Sequence, residues 1–145
     1  MPSVRDVLMS KTNTVHAVNP TTTVLAAVQK MNQHKIGALL VMKGQSVVGM
    51  FTERDVLRRV IGEQRDPASV AVGEVMTEDV ICVGPEADID EVSTIMSQRK
   101  VRHIPVCDEK GNLHGMVSIG DVNAFHADNQ QAQIHFLHEY VYGRA

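Results

Sequence analysis

Tryptophan is absent from this sequence, and aromatic residues together make up only 3% of it. Single-stranded nucleic acids are held largely by stacking bases on aromatic rings, so that mode of binding has almost nothing to work with here. Charge of one sign is missing too: 14 Lys and Arg stand against 17 Asp and Glu, a formal net charge of −3 with no long run of either sign. No polyanion-binding tail is expected, and nucleic acid is set aside as a partner. The densest apolar stretch, residues 36–42, stops at Lys43, far short of the about 20 residues that cross a bilayer, so no membrane span is expected. The first ten residues carry Arg5 and Asp6 and lack an apolar signal core, which points to a cytoplasmic protein. Cysteine occurs only at positions 82 and 107, in apolar segments and without a Cys-x-x-Cys. Both are read as small core residues in a reducing compartment.

The chain is instead aliphatic, with 43% hydrophobic and 21% charged residues, the balance of a globular domain. It also repeats itself. A shift of 65 residues lays Pro20 on Pro85, Val24 on Ile89, Met31 on Met96, Lys35 on Lys100 and Val41 on Val106. One added residue in the turn at 108–111 makes the shift 66, after which Gly49, Met50, Asp55 and Val56 fall on Gly115, Met116, Asp121 and Val122.

Each copy reads as strand, helix, strand, strand, helix. In the first, residues 15–18 form a strand, Val24, Ala27, Val28 and Met31 mark one helix face, residues 38–42 and 47–51 flank a Lys43-Gly44-Gln45 turn, and residues 55–61 make a second helix. In the second, the counterparts are a strand at 80–83, a helix marked by Ile89, Val92 and Met96, and strands at 104–107 and 113–117. A unit of about 60 residues buries too little surface to be stable alone. The expected fold is therefore α/β: two β-α-β-β-α repeats, 1–66 and 67–127, packed as one pseudo-symmetric domain through the linker at 62–69. The 128–145 extension carries Ile134, Leu137 and Val141 at helical spacing and is expected to be a C-terminal helix.

At the end of the third strand each copy holds a matching heptapeptide, Gly49-Met50-Phe51-Thr52-Glu53-Arg54-Asp55 and Gly115-Met116-Val117-Ser118-Ile119-Gly120-Asp121. Helix capping explains the hydroxyl and the acid: Thr52 or Ser118 as N-cap, with the Asp reaching back in a capping box. A ligand site explains them equally. Free backbone N–H groups at a helix start attract anions, and a carboxylate one turn in can bond a vicinal diol, as acidic residues bond ribose in dinucleotide folds. Both readings remain open on these residues alone.

These motifs, with Val75-Met76-Thr77 opening the second copy and Arg102-His103-Ile104-Pro105-Val106 before its turn, resemble a tandem pair of cystathionine beta-synthase (CBS) domains of the stand-alone kind. The resemblance covers nearly the whole chain. It implies adenosine ligands in two inter-repeat clefts: AMP, ADP or ATP, with NAD or S-adenosylmethionine as further options. By the same resemblance, Asp55 and Asp121 hold the ribose diols, while Thr52, Ser118 and Gly120 stand at the helix starts beside ribose or α-phosphate. Lys11, Thr12, His16, Ile36, Gly37 and Ala38 serve the Asp121 cleft. The segment 77–82, including Thr77 and Val80, and Val101, Arg102 and His103 serve the Asp55 cleft. Ile36 and Val101 sandwich the base, and Arg54, Arg102 and His103 offer charge to phosphate. Leu40 stands where the second copy has Pro105, and the segment before Thr14 is longer than its counterpart, so the Asp121 cleft departs from the pattern.

No nucleophile and base stand in a catalytic arrangement, so no enzyme is expected. No metal site is expected either: His135 and His138 have chelating spacing but no third ligand at a familiar distance. The expected function is a regulatory, energy-sensing nucleotide binder that forms a homodimer and signals to a separate, unidentified protein. The alternative is a nucleotide-independent interaction module.

Overall fold

The helix read from Val24, Ala27 and Met31 is present and buries those three side chains. The computed structural model describes residues 2–10 and 15–129. Lys11, Thr12, the expected C-terminal helix beyond Asn129 and the His135–His138 pair lie outside the described residues. In chain order the elements are α1 (Val4–Met9), β1 (Ala17–Val18), α2 (Val24–His34), β2 (Ala38–Lys43), β3 (Ser46–Thr52) and α3 (Glu53–Asp55), which continues as a π-helical stretch over Val56–Ile61. They are followed by α4 (Val72–Val75), α5 (Ile89–Arg99), β4 (His103–Cys107), β5 (Leu113–Ser118) and α6 (Ile119–Asn129). None of the described helices is long and apolar enough to cross a membrane.

The two repeats match down to their helix ends. Thr23 Oγ1 caps α2 by accepting from Ala26 N–H at 3.1 Å, and Asp88 Oδ1 caps α5 by accepting from Asp90 N–H at 2.9 Å. Both helices close on a lysine in the left-handed region, Lys35 and Lys100, each at φ 56°. That conformation crowds a Cβ against the following carbonyl. Its use at equivalent positions shows that both chains must turn sharply there into the next strand.

In the first repeat β1 runs parallel to β2, pairing Ala17 with Leu40 and Val18 with Val41, and β2 runs antiparallel to β3. In the second, β4 and β5 form the antiparallel pair, but the strand expected at 80–83 is reduced to a single parallel bridge between Val83 and Val106. Proline is the cause. Leu40 N–H donates to the His16 carbonyl at 3.1 Å. The residue in its place, Pro105, has no N–H to give Ile81, the counterpart of His16. Only the Val83 N–H to Pro105 carbonyl (3.0 Å) and Cys107 N–H to Val83 carbonyl (2.9 Å) bonds survive.

The short helices α1 and α4, unforeseen in the sequence, trade places. Helix α1 puts Val4, Val7 and Leu8 into the core of the second repeat, among Ile89, Val92, Met96, Ile104, Val106 and Val117. Helix α4 puts Val72 and Val75, with Val70, into the core of the first, around Phe51, Leu39 and Met31. Backbone bonds fix both: Val4 N–H to Ala87 O at 2.9 Å, and Val72 N–H to Thr22 O at 2.8 Å. The 62–69 connection is likewise tied down, Leu25 N–H donating to Pro67 O at 2.9 Å. A third cluster, Ala38, Leu40 and Met50 with Val80, Leu113 and Met116 against it, lies between the two sheets.

The cysteines are not core residues. Val83 and Val106 take the side facing the second core, and alternation along extended backbone turns their neighbours Cys82 and Cys107 away from it. Cys82 is exposed and Cys107 partly buried.

Because α1 belongs to the second core, Leu8→Ala is expected to cost about 2–5 kcal/mol and to speed amide exchange first in β4 and β5, far along the chain. Loosening confined to β2 and β3 would show that the helix serves its own repeat instead.

Candidate ligand-binding site

Strand β3 ends at Thr52, and a helix starts there because Thr52 and Asp55 cap each other. Asp55 N–H donates to Thr52 Oγ1 at 3.3 Å, and Thr52 N–H donates to Asp55 Oδ2 at 3.0 Å. The same box recurs at Ser118 and Asp121, with bonds of 2.8 and 3.1 Å. The capping reading of the heptapeptides thus describes what their side chains do.

Asp55 is held from the other repeat's segment as well. Thr77 Oγ1 donates to its Oδ1 at 3.1 Å, and Arg59 Nε stands 3.8 Å from the same oxygen while its Nη1 donates to Met76 O at 2.9 Å. Thr77 is brought there by a two-way backbone bridge with Met50, 2.9 Å in each direction. Gly49 makes the approach possible: a Cβ at that position would lie 2.5 Å from Met76 Sδ and 3.0 Å from the Thr77 carbonyl. The first glycine of the motif is therefore a close-packing residue. Asp55 ends 5% exposed, yet on the wall of a cavity.

That cavity, of about 310 Å³, opens between the repeats. Thr52, Arg54 and Asp55 line it from one helix start, and Thr77, Val80, Val101, Arg102 and His103 face them from the other repeat. All eight residues expected at the Asp55 cleft are together. Gly37, expected at the opposite cleft, lines this one, because its carbonyl accepts from Glu53 N–H at 3.1 Å. Ile36 packs against the first core and Ala38 lies in the cluster between the sheets, so neither side chain stands on this cavity. Asp79 and Ile81, within the 77–82 segment expected here, line it too, and so does Glu53, which was not singled out. Glu53 occupies a variable position of the heptapeptide, which gave no signal of its own.

Around the Asp55 cavity, Arg54, Lys100 and Arg102 face Glu53, Asp55 and Asp79, so the cations and carboxylates balance. Arg99 lies 3.9 Å from Asp79, an exposed pair of small energetic weight. At the second helix start the counterparts of Glu53 and Arg54 are Ile119 and Gly120, and neither is charged. There Ile119 N–H donates to the Arg102 carbonyl at 2.8 Å, the bond equivalent to Glu53 on Gly37. The Arg102 backbone thus adjoins the second helix start, while the residue lines the Asp55 cavity. His16 stacks on His34 with ring centroids 3.9 Å apart. Desolvation, then the charges of His34 and Lys30, hold its pKa below the usual imidazole value. Among the described residues, no group of three or more His, Cys, Asp or Glu is placed to hold a metal ion.

Two similar α/β halves that exchange their first helices and enclose a polar cleft define a tandem-repeat domain pair. The CBS domain profile matches residues 4–62 and 72–127. The chain is 33% identical over 132 residues to the CBS domain-containing protein YhcV of Bacillus subtilis, covering 91% of each. It is 40% identical over 126 residues, 83% of its length, to the mitochondrial CBS domain-containing protein CBSX3 of Arabidopsis thaliana, and spans 61% of that relative. The crystal structure of the CBS-domain containing protein ATU1752 from Agrobacterium tumefaciens superposes with a TM-score of 0.81 at 34% identity, over 86% of this chain and 99% of that one. The chain belongs to the CBS-domain family, as a tandem pair.

Since Asp55 is a cap before it is anything else, Asp55→Ala is expected to lower the stability of nucleotide-free protein by about 1.5–3 kcal/mol, the range for hydrogen bonds to a charged group. Thr77→Val should cost less, about 0.5–1.5 kcal/mol. Chemical unfolding without ligand checks both. Unchanged stability in Asp55→Ala would mean that the cap contributes nothing.

Proposed function

We propose that this CBS pair is a non-enzymatic regulatory module that binds adenosine nucleotides in its inter-repeat clefts and passes the result to a separate protein. AMP, ADP and ATP are the first candidates, NAD and S-adenosylmethionine the next. The observation that carries the reading is the convergence on one cavity of a capped helix start from one repeat and an apolar and cationic edge from the other. A helix start suits a phosphate, Asp55 a ribose diol, and Val80 and Val101 the faces of a base. The Ile81 carbonyl, deprived of its ladder bond by Pro105, supplies an acceptor for an exocyclic amino group. A ligand touching both repeats favours whichever arrangement of them fits it better, which is the thermodynamic requirement for regulation.

Charge separates the two clefts. The balanced lining at Asp55 suits a nucleoside monophosphate. The Asp121 helix start lacks the Glu53 carboxylate and has Arg102 beside it, which suits ligands with more phosphate. The two carboxylates are the natural handles for a test by calorimetry on nucleotide-stripped protein. Asp55→Ala should retain one site that prefers ATP to AMP and weakens steeply with salt, because more of its affinity is Coulombic. Asp121→Ala should retain one with a flatter salt slope. Equal preferences and slopes would remove the asymmetry, and no binding of any of the five ligands by wild type would favour the interaction-module reading. That alternative draws on one feature: the Asp55 carboxylate already has protein partners on both oxygens.

Helix surface left uncovered supports a homodimer. Leu57 and Ile61, four residues apart on one helix, are 66% and 55% exposed, and Leu25 is 41% exposed. Large aliphatic side chains so exposed on helices suit a partner subunit's helices. Sedimentation is expected to give a dimer for wild type and a folded monomer for the Leu57→Glu, Ile61→Glu double variant. A wild-type monomer at micromolar concentration would refute the assembly.

A further inference from the structure

Only two thiols exist in the chain, and although 25 positions separate them, their sulfur atoms lie 3.5 Å apart. The Val83–Val106 bridge, fixed by two main-chain bonds, places them: in its parallel register Cys82, just before Val83, and Cys107, just after Val106, stand diagonally on the face that points away from the second core, and their side chains meet across that diagonal. A disulfide needs its sulfurs at about 2.05 Å, so closing the bond takes roughly 1.5 Å of combined side-chain rotation and movement of the segment before Val83, which lacks the ladder bond at Ile81. We propose that Cys82 and Cys107 form a thiol–disulfide exchange site for low-molecular-weight disulfides, Cys82 attacking and Cys107 resolving.

The two positions differ in the way those roles require. Cys82 is exposed, so a small disulfide can reach it in line, whereas Cys107 is partly covered. Burial first, then contact with Cys82 and the nearby Asp108 carboxylate, pushes the Cys107 thiol up to about 12. Attack requires a thiolate, so the first step belongs to Cys82. Its thiolate attacks one sulfur of the small disulfide, forming a mixed disulfide at Cys82 and releasing one small thiolate. Cys107 then gives up its proton and attacks the Cys82 sulfur, expelling the second small thiolate. The protein's two thiols are oxidised to one disulfide, and the small disulfide is reduced to two thiols. Neither step needs a nucleotide.

The bond would replace what Pro105 removed. The segment ending at Cys82 contributes Asp79, Val80 and Ile81 to the cavity wall, and β4, ending at Cys107, contributes His103 and Ile104. With the ladder bond at Ile81 lost, the main-chain bonds that tie that segment to β4 are those of Val83. A Cys82–Cys107 disulfide adds a covalent joint beside it, so oxidation is expected to brace one wall of the cleft.

The experiment incubates the reduced full chain with oxidised glutathione, blocks remaining thiols with an alkylating reagent, and reads the products by mass spectrometry. Wild type should lose both alkylatable thiols, retain no glutathione and gain one link between the peptides holding Cys82 and Cys107. Cys107→Ser should stop at a stable glutathione adduct on Cys82, and Cys82→Ser should react roughly tenfold more slowly or less. Amide exchange over 78–83 should slow in the oxidised protein and recover on reduction. Persistent glutathione on wild-type Cys82, a link only between two chains, or equal reactivity of the two single variants would overturn the proposal. Unchanged exchange over 78–83 would overturn the brace.

Discussion

Neither repeat closes its own core, and everything else in the molecule rests on that. Val4, Val7 and Leu8 belong by position to the first repeat but are buried in the second, while Val72 and Val75 are buried in the first. Units of this size have too much surface for their volume. Exchanging a helix gives each core a lid and makes the stability of one depend on the other. It also fixes where the chain passes on its way out of α4: Met76 and Thr77 must run along β3, close enough that a side chain at position 49 would press on Met76 and the Thr77 carbonyl. The inter-repeat cleft is the space this crossing leaves.

The same crossing gives Asp55 two duties. As a cap it starts the helix after β3, and through Thr77 and Arg59 it ties that helix to the chain leaving α4. As a cavity-wall carboxylate it faces the space where a ligand would sit. A ligand that drew bonds from this carboxylate would compete with Thr77 or Arg59, both attached to the segment that joins the repeats. Binding and the relation between repeats would then be linked by hydrogen-bond exchange at one side chain, with no need for a longer path.

Symmetry makes the two capped helix starts alike, and a few substitutions make them differ. Pro105 in place of Leu40 erases a strand and leaves a single bridge. Ile119-Gly120 in place of Glu53-Arg54 strips both charges from one helix start, and Arg102 in place of Gly37 adds a cation to the lining of the Asp55 cavity. These changes lie at the helix starts and the strand edges beside them, whereas the aliphatic pattern behind them, Val24 and Met31 against Ile89 and Met96, is kept. Packing constrains volume and leaves the edges free to diverge.

The repeat, the helix faces, the hairpins and the capped heptapeptides were legible in the sequence, because each is written in local spacing: apolar residues three and four apart, a hydroxyl three before an acid, a turn between two apolar runs. So was the loss of the strand at 80–83 in principle, since a proline at the position of Leu40 forbids the bond. What the chain alone could not reveal is which copy α1 and α4 would cover, because short helices with two or three valines fit either core and only the path between them selects one. The convergence of Gly37 and Glu53 on one cavity, the burial of Asp55 beneath Thr77, and the meeting of Cys82 with Cys107 likewise depend on which backbones cross. By itself the sequence determined the elements and their duplication, which follow from the period of its apolar residues. Tertiary structure decided the exchange and the contents of the cleft, which follow from chain crossings that no local pattern records.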